Sequence, residues 1–154
     1  MSRAFVKDQD VDYVDNLPDR LISEHPNDVT ETGMAQIEAA LAAARAAHAA
    51  AQASSNRASI AAAAREIRYW SSRRATARVV PAATNVSQVR FGATVTIVRD
   101  DGRKQTFRIV GEDEADPAKG SISHVSPLAR AMLGKSVGDV VKAGNRDAEI
   151  TSID

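Results

Sequence analysis

Two hydrophobic rhythms divide the chain. From Met34 onward, Met34, Ile37, Leu41, Ala44, His48 and Ala51 recur at alternating steps of three and four. That spacing is the a/d seam of a coiled coil. Ile60, Ala63, Ile67 and Trp70 repeat it. Between the two runs, Ser54-Ser55-Asn56 supplies residues that cap helices and tolerate turn geometry. The pattern therefore predicts an antiparallel helical hairpin over residues 30–80, with Thr30 or Thr32 as the opening cap. Each arm should run ~20–24 residues, or ~30–36 Å at 1.5 Å per residue. The distal seam is mostly alanine, which has high helix propensity but buries little apolar area. The larger side chains Ile37, Leu41, Ile67, Tyr69 and Trp70 gather at the base. A firm base and a softer distal end are expected.

Past a linker at residues 80–85 the rhythm changes to alternation. Val89, Phe91, Ala93, Val95 and Ile97 would line one face of a strand. Asp101-Gly102 is a hairpin turn signal, and residues 105–110 read as the returning strand. Residues 122–125 look like a short strand. Ser126-Pro127 then supplies an N-cap with proline at the first helical position, and Gly134 a helix stop. Residues 137–142 and 148–153 complete the sheet. The fold class is α+β: a helical hairpin followed by an antiparallel sheet with one short helix.

Charge sharpens this division. The chain has 154 residues and a formal net charge of zero, which gives no global case for nucleic-acid binding. Residues 1–29 nevertheless hold 3 Lys/Arg against 7 Asp/Glu, residues 30–80 hold 7 against 3, and residues 81–154 hold 10 against 10. The first block, broken by Pro18 and Pro26, reads as an acidic, mostly extended arm with a short helical turn near residues 10–16. Three units follow: an arm (1–29), a hairpin (30–80) and a sheet domain (81–154). Cysteine is absent, which removes disulfides and thiol chemistry. No apolar run reaches the ~20 residues of a membrane span, and no signal-peptide pattern opens the chain. A cytoplasmic protein without membrane contact is expected.

Phe91–Asp116 and Ile122–Asp139 together resemble the C-terminal domain of the Gre transcript-cleavage factors, GreA and GreB, which bind bacterial RNA polymerase. The resemblance covers roughly residues 30–154 and implies an FKBP-like sheet domain behind a coiled-coil hairpin. The docking segment, in typical members Ile-Ser-x-Asp-Ser-Pro-x-Ala-Arg-Ala-Leu-Leu, is matched at Ile122, Ser123, Ser126, Pro127, Ala129, Arg130, Ala131 and Leu133. Val125 departs from it, standing where the family commonly has Asp. By that resemblance Ser123, Val125, Ser126, Pro127 and Arg130 face the rim of the polymerase secondary channel. Any contact with nascent RNA or DNA in the elongation complex is expected to be indirect. Regulators of nucleoside diphosphate kinase, which pair a short hairpin with a similar domain, are a related group.

In cleavage factors the hairpin tip carries carboxylates that help hold a second metal ion beside the polymerase magnesium. Such an ion needs hard anionic oxygen ligands. Between Glu38 and Glu66 this chain has no Asp or Glu. The tip region offers Arg45, Ser54, Ser55, Asn56, Arg57 and Arg65, and an arginine repels a cation. Those arginines read first as solvation of an Ala-rich helix surface. The second reading is contact with RNA phosphate or acidic polymerase groups. A polymerase-binding factor that modulates transcription without classical cleavage is therefore expected, with no catalytic residues, metal or cofactor of its own.

Other readings are weaker. Asp8-x-Asp10-x-Asp12 has the opening of an EF-hand loop, but Tyr13 occupies the glycine position. The arm's Asp8, Asp10, Asp12 and Asp15 could serve cleavage in place of tip carboxylates, though an extended arm fixes no geometry. Glu112-Asp113-Glu114-Ala-Asp116 reads as a solvated loop between strands. Peptidyl-prolyl isomerase activity would need an aromatic-lined pocket, and the domain has only Phe91 and Phe107.

Overall fold

The computed structural model describes residues 17–84 and 86–154. The acidic motif at residues 8–12 and the expected helical turn near residues 10–16 lie outside them. The described chain forms two compact units.

The first unit combines residues 17–24 with Gln36–Thr76. Helix α1 spans Glu31–Ala53 and helix α2 Arg57–Thr76. At 23 and 20 residues, the arms have the expected lengths. The seam follows the stepping read from sequence. Ile37, Leu41, Ala44, Ala51 and Ala63 are buried, with His48, Ile60, Ile67 and Trp70 half-buried. Arg73 is also buried, at 2 % exposure; the periodic reading did not place it inside.

The reversal at Ser54–Asn56 is built from backbone hydrogen bonds. Asn56 N–H donates to Ala51 O (3.0 Å) and Ser55 N–H to Gln52 O (3.1 Å). This is the Schellman pattern, with Ser55 at φ 52° in the left-handed position glycine usually takes. Asn56 Oδ1 then accepts from Ser59 N–H at 3.1 Å and caps α2.

At the hairpin base, Tyr69 and Trp70 pack edge to face with centroids 4.9 Å apart. The Arg20 guanidinium lies 3.7 Å from the Tyr69 centroid and bonds Glu66 at 2.8 Å. Trp70 Nε1–H donates to the same carboxylate oxygen at 3.2 Å. Residues 17–20 carry no helix or strand, as expected of the arm, yet this cluster pins them to α2.

The second unit joins His25–Ala35 to Ala77–Asp154. The arm's last residues and the first turn of α1 thus group with the sheet domain. Strand β1 (Asp28–Val29) pairs in parallel with β2 (Arg78–Val79), Asp28 opposite Arg78. The other strands are β3 (Thr94–Arg99), β4 (Lys104–Val110), β5 (Ser121–Ser123), β6 (Val140–Ala143) and β7 (Arg146–Ile153), in spatial order β5-β4-β3-β7-β6. Helix α3 spans Pro127–Met132. One face of the sheet carries the core, with Val95, Ile97, Ile109, Met132 and Ile150 at 0 % exposure.

Three features differ from the sequence expectation. The sheet is mixed rather than antiparallel, because β5 pairs parallel to β4. The ten residues 111–120, with a 3-10 turn at Pro117–Lys119, provide the crossover that a parallel pair requires. Strand β3 starts at Thr94, not near Val89; Gly92 (φ 86°) turns the chain, and Val89 pairs instead with Lys135 beyond α3 (N–O 2.8 Å). Finally, a register shift between Thr96 and Ile97 inserts Thr151 into β7. That bulge lets Ala148, Ile150 and Ile153 all reach the core, although strict alternation would turn Ile153 outward.

The loop after β4 is packed rather than simply solvated. Thr30 Oγ1 accepts from Gly33 N–H at 2.9 Å, capping α1, and donates to the Glu114 carboxylate. A carboxylate beside the positive end of a helix is favourable. A Cβ on Gly33 would lie 2.7 Å from Glu114 Oε1, and one on Gly111 would lie 2.6 Å from the Asp28 carbonyl oxygen. The second obstacle is backbone, which has little freedom to yield. Gly111→Ala should lower the stability of this unit by ~1–3 kcal/mol, the usual cost of overpacking. Denaturant unfolding checks it, with amide exchange at Arg78 and Val80 reporting loss of the β1–β2 ladder.

Candidate functional site: the β5–α3 corner and the hairpin turn

Two places carry the residues singled out in the sequence. The first is the corner where β5 turns into α3. Ser123 ends β5, and its Oγ accepts from Val125 N–H at 3.2 Å, while its carbonyl accepts from Ser126 N–H at 2.9 Å. Those bonds close a tight turn through His124 and Val125. Ser126 Oγ then accepts from Ala129 N–H at 3.3 Å, with Pro127 at the first helical position. The cap and the proline act together: one satisfies an orphan N–H, the other presets φ. Leu133 closes the helix and Gly134 (φ 81°) leaves it in the left-handed region. Pro127 and Arg130 are exposed, Val125 is half-buried, and Ala129 and Met132 anchor the helix in the core. The corner thus presents Val125, Pro127 and Arg130 on a rigid support. From 117 to 138 the chain has Lys119, Arg130 and Lys135 and no carboxylate.

His124 was not singled out from sequence. Its ring meets Phe91 edge to face, centroids 5.4 Å apart, and its backbone N–H donates to the Val110 carbonyl at 2.9 Å. Nε2 is buried and has no hydrogen-bond partner. Burial pushes the imidazole below its ordinary range; Asp28 and Glu112 pull the other way, and His25 and Arg130 add to the depression. A lone histidine gives no sequence signal for such a role, since its neighbours come from β1, the β4–β5 loop and α3.

The second place is the hairpin turn. Ser54, Ser55, Asn56 and Arg57 form it and are all exposed. Arg45 and Arg65 are not at the tip. They stand nine and eight residues along the arms from Ser54 and Arg57, ~12–14 Å down the helices. The sequence grouping of all three arginines as a tip is corrected accordingly. Among the described residues no cluster of His, Asp or Glu could hold a metal ion, and the arm's carboxylates at 8, 10, 12 and 15 lie outside them. No helix among the described residues is long and apolar enough to cross a membrane.

Residues 83–154 match the family model of the GreA/GreB transcription elongation factor C-terminal domain. The sheet domain with its β5–α3 corner is thus similar to the C-terminal domain of the GreA/GreB transcription elongation factors. Curated relatives agree. The GreA of Hyphomonas neptunium is 51 % identical over 72 residues, covering 44 % of this chain and 46 % of the relative. The GreB of Neisseria meningitidis serogroup B is 49 % identical over 71 residues, covering 44 % of each. The chain spans about half the length of the curated relatives it matches. Among solved structures, the GreA factor homolog 1 (Gfh1) of Thermus thermophilus aligns over 84 % of this chain and 99 % of its own at 20 % identity, TM-score 0.39.

Two outcomes follow for the corner. Ser126→Ala should cost ~0.5–2 kcal/mol, the range for a lost cap, read by denaturant unfolding. For His124, the folded state favours the neutral ring, whereas the unfolded ring takes a proton near its ordinary value of 6.5. The stabilisation is thus full above that value and is lost as pH falls through the lower folded value. Thermal midpoints measured from about pH 7 down to about pH 5 should drop more steeply for the native chain than for His124→Gln.

Proposed function

We propose that this chain is an RNA polymerase-binding transcription factor of the Gre type. It docks at the rim of the secondary channel through the β5–α3 corner and modulates elongation without stimulating classical transcript cleavage. The match of residues 83–154 to the GreA/GreB C-terminal domain family supports the partner. One observation carries the loss of cleavage: the turn is Ser-Ser-Asn-Arg, and no carboxylate occurs between Glu38 and Glu66 on either arm. A second metal ion among RNA phosphates would find no anionic ligand there. On this reading the chain is not itself an enzyme, needs no cofactor, acts in the cytoplasm, and meets RNA or DNA only as part of the elongation complex.

The corner's charge refines the docking. With Val125 in place of the family's usual Asp and no carboxylate from 117 to 138, a basic polymerase residue has no partner here. Arg130 instead suits an acidic group on the channel rim, with Pro127 and Val125 as apolar contacts. Exposed Arg57 at the turn suits the same negative surroundings.

Mixing the full chain with stalled, backtracked elongation complexes, and following polymerase binding together with RNA shortening, tests the reading. Binding without shortening is expected. Arg130→Glu should weaken binding by about tenfold or more, the scale of one well-placed charge pair. Shortening of the RNA would mean that carboxylates outside the turn, such as Asp8, Asp10, Asp12 and Asp15, serve the metal. Absence of comigration at low salt would remove the polymerase as partner.

A further inference from the structure

One large apolar side chain stands almost wholly in solvent. Leu21 is 95 % exposed, and Ile22 beside it is 41 % exposed. A single exposed leucine is ordinary on a protein surface, but this one is not on a loose tail. Upstream, Asp19 bonds Arg68 at 2.6 Å, and Arg20 bonds Glu66 and lies over the Tyr69 ring. Downstream, the Asn27 carbonyl accepts from Arg78 N–H at 2.9 Å, and β1 begins at Asp28. Anchored on both sides, the segment has little freedom left to lose when Leu21 is covered.

A place of matching character lies in the sheet domain. Val80, Pro81, Phe91 and Leu133 line an apolar groove of about 660 Å³, within the ~300–1,000 Å³ of sites that take ligands. Its wall includes Ala82 and Ala83, which form no hydrogen bond with any described residue. Their N–H and C=O groups are open to an entering backbone, as strand-like addition requires.

Charge matches as well. Arg90 borders the groove, is exposed, and joins no ion pair among the described residues. No carboxylate occurs from 67 to 99 or from 117 to 138. Glu24, just beyond Leu21 and Ile22, is likewise exposed and in no ion pair among the described residues. Three extended residues span ~10 Å, so one segment can seat Leu21 in such a groove and set Glu24 at its rim.

We propose that the chain self-associates by exchanging these segments. Leu21 of one copy enters the Val80–Phe91–Leu133 groove of a second, Glu24 pairs with Arg90 there, and the exchange is reciprocal. Reciprocity closes the assembly as a two-fold dimer, with no open chain of copies. Contacts this small make a transient dimer, with a dissociation constant of ~10 μM to 1 mM. The inference uses neither the hairpin turn nor the β5–α3 corner, and stands whether or not polymerase is the partner.

Sedimentation equilibrium of the full chain tests it. The mean mass should rise from that of one chain, 16.4 kDa, toward twice that value between ~5 μM and ~2 mM. Leu21→Ser changes a solvated side chain, so circular dichroism should be unaltered while association weakens at least ~10-fold. Glu24→Arg should also weaken it, and adding Arg90→Glu in the same chain should restore it. The native chain has no cysteine, so the contact can be read directly. Mixed under mild oxidation, Ile22→Cys chains and Ala82→Cys chains should link to each other at least ~10-fold faster than either links to its own kind. A single-chain mass at ~2 mM would overturn the proposal. So would a dimer that Leu21→Ser leaves unchanged, or equal linking between like and unlike chains.

Discussion

The structure depends on how the base of the hairpin is tied. Thr30 caps α1 and at the same time bonds Glu114, a residue more than eighty positions away in the loop after β4. Gly111 lets that loop lie against the Asp28 backbone, and Gly33 leaves room for the Glu114 side chain. The next two residues back, Asp28 and Val29, form a parallel ladder with Arg78 and Val79, reinforced by the Arg78–Asp28 pair at 2.7 Å. Both ends of the hairpin are thereby fastened within the sheet domain's own compact unit. Helix α1 begins as part of that unit, not as an appendage to it.

Local chemistry made much of this legible in the sequence. The seam from Ile37 to Ala51, the Ser54–Asn56 reversal, the Asp101-Gly102 turn and the Ser126-Pro127 helix start all depend on neighbours within a few residues. Each formed as its spacing implies. Elements decided by distant partners were not legible. Thr30 could be read as a cap but not as a donor to Glu114. Gly111 gives no sign that a carbonyl from β1 will press on it. The parallel placement of β5 and the extra Thr151 in β7 follow from how the sheet closes over its core, which composition does not record. Arg73 fell to the same blindness, since a charged residue on a periodic helix reads as solvated until its surroundings are known.

The two candidate sites differ in the same way. At the β5–α3 corner the motif residues and the geometry coincide, because Ser123 and Ser126 order the turn that presents Val125, Pro127 and Arg130. At the hairpin, sequence proximity suggested one basic tip, whereas the arms spread the arginines over two helical levels. The carboxylate gap was plain from sequence alone, since it needs no three-dimensional information. His124 is the reverse case: an ordinary residue by sequence, given its character by Phe91, Asp28, Glu112 and Arg130 arriving from four separate segments.

The parallel ladder at residues 28–29 and 78–79 also bears on how such a protein can change over time. The hairpin is topologically a single excursion between two paired strands, closed where it leaves and where it returns. Lengthening both arms by a matched seven residues would make the hairpin ~10 Å longer, while the clasp, the sheet and the β5–α3 corner kept every bond they now make. Shortening them would draw it in as freely. Reach and attachment are separate heritable traits in this architecture, and the chemistry written at the turn can be exchanged without renegotiating the fold that holds it.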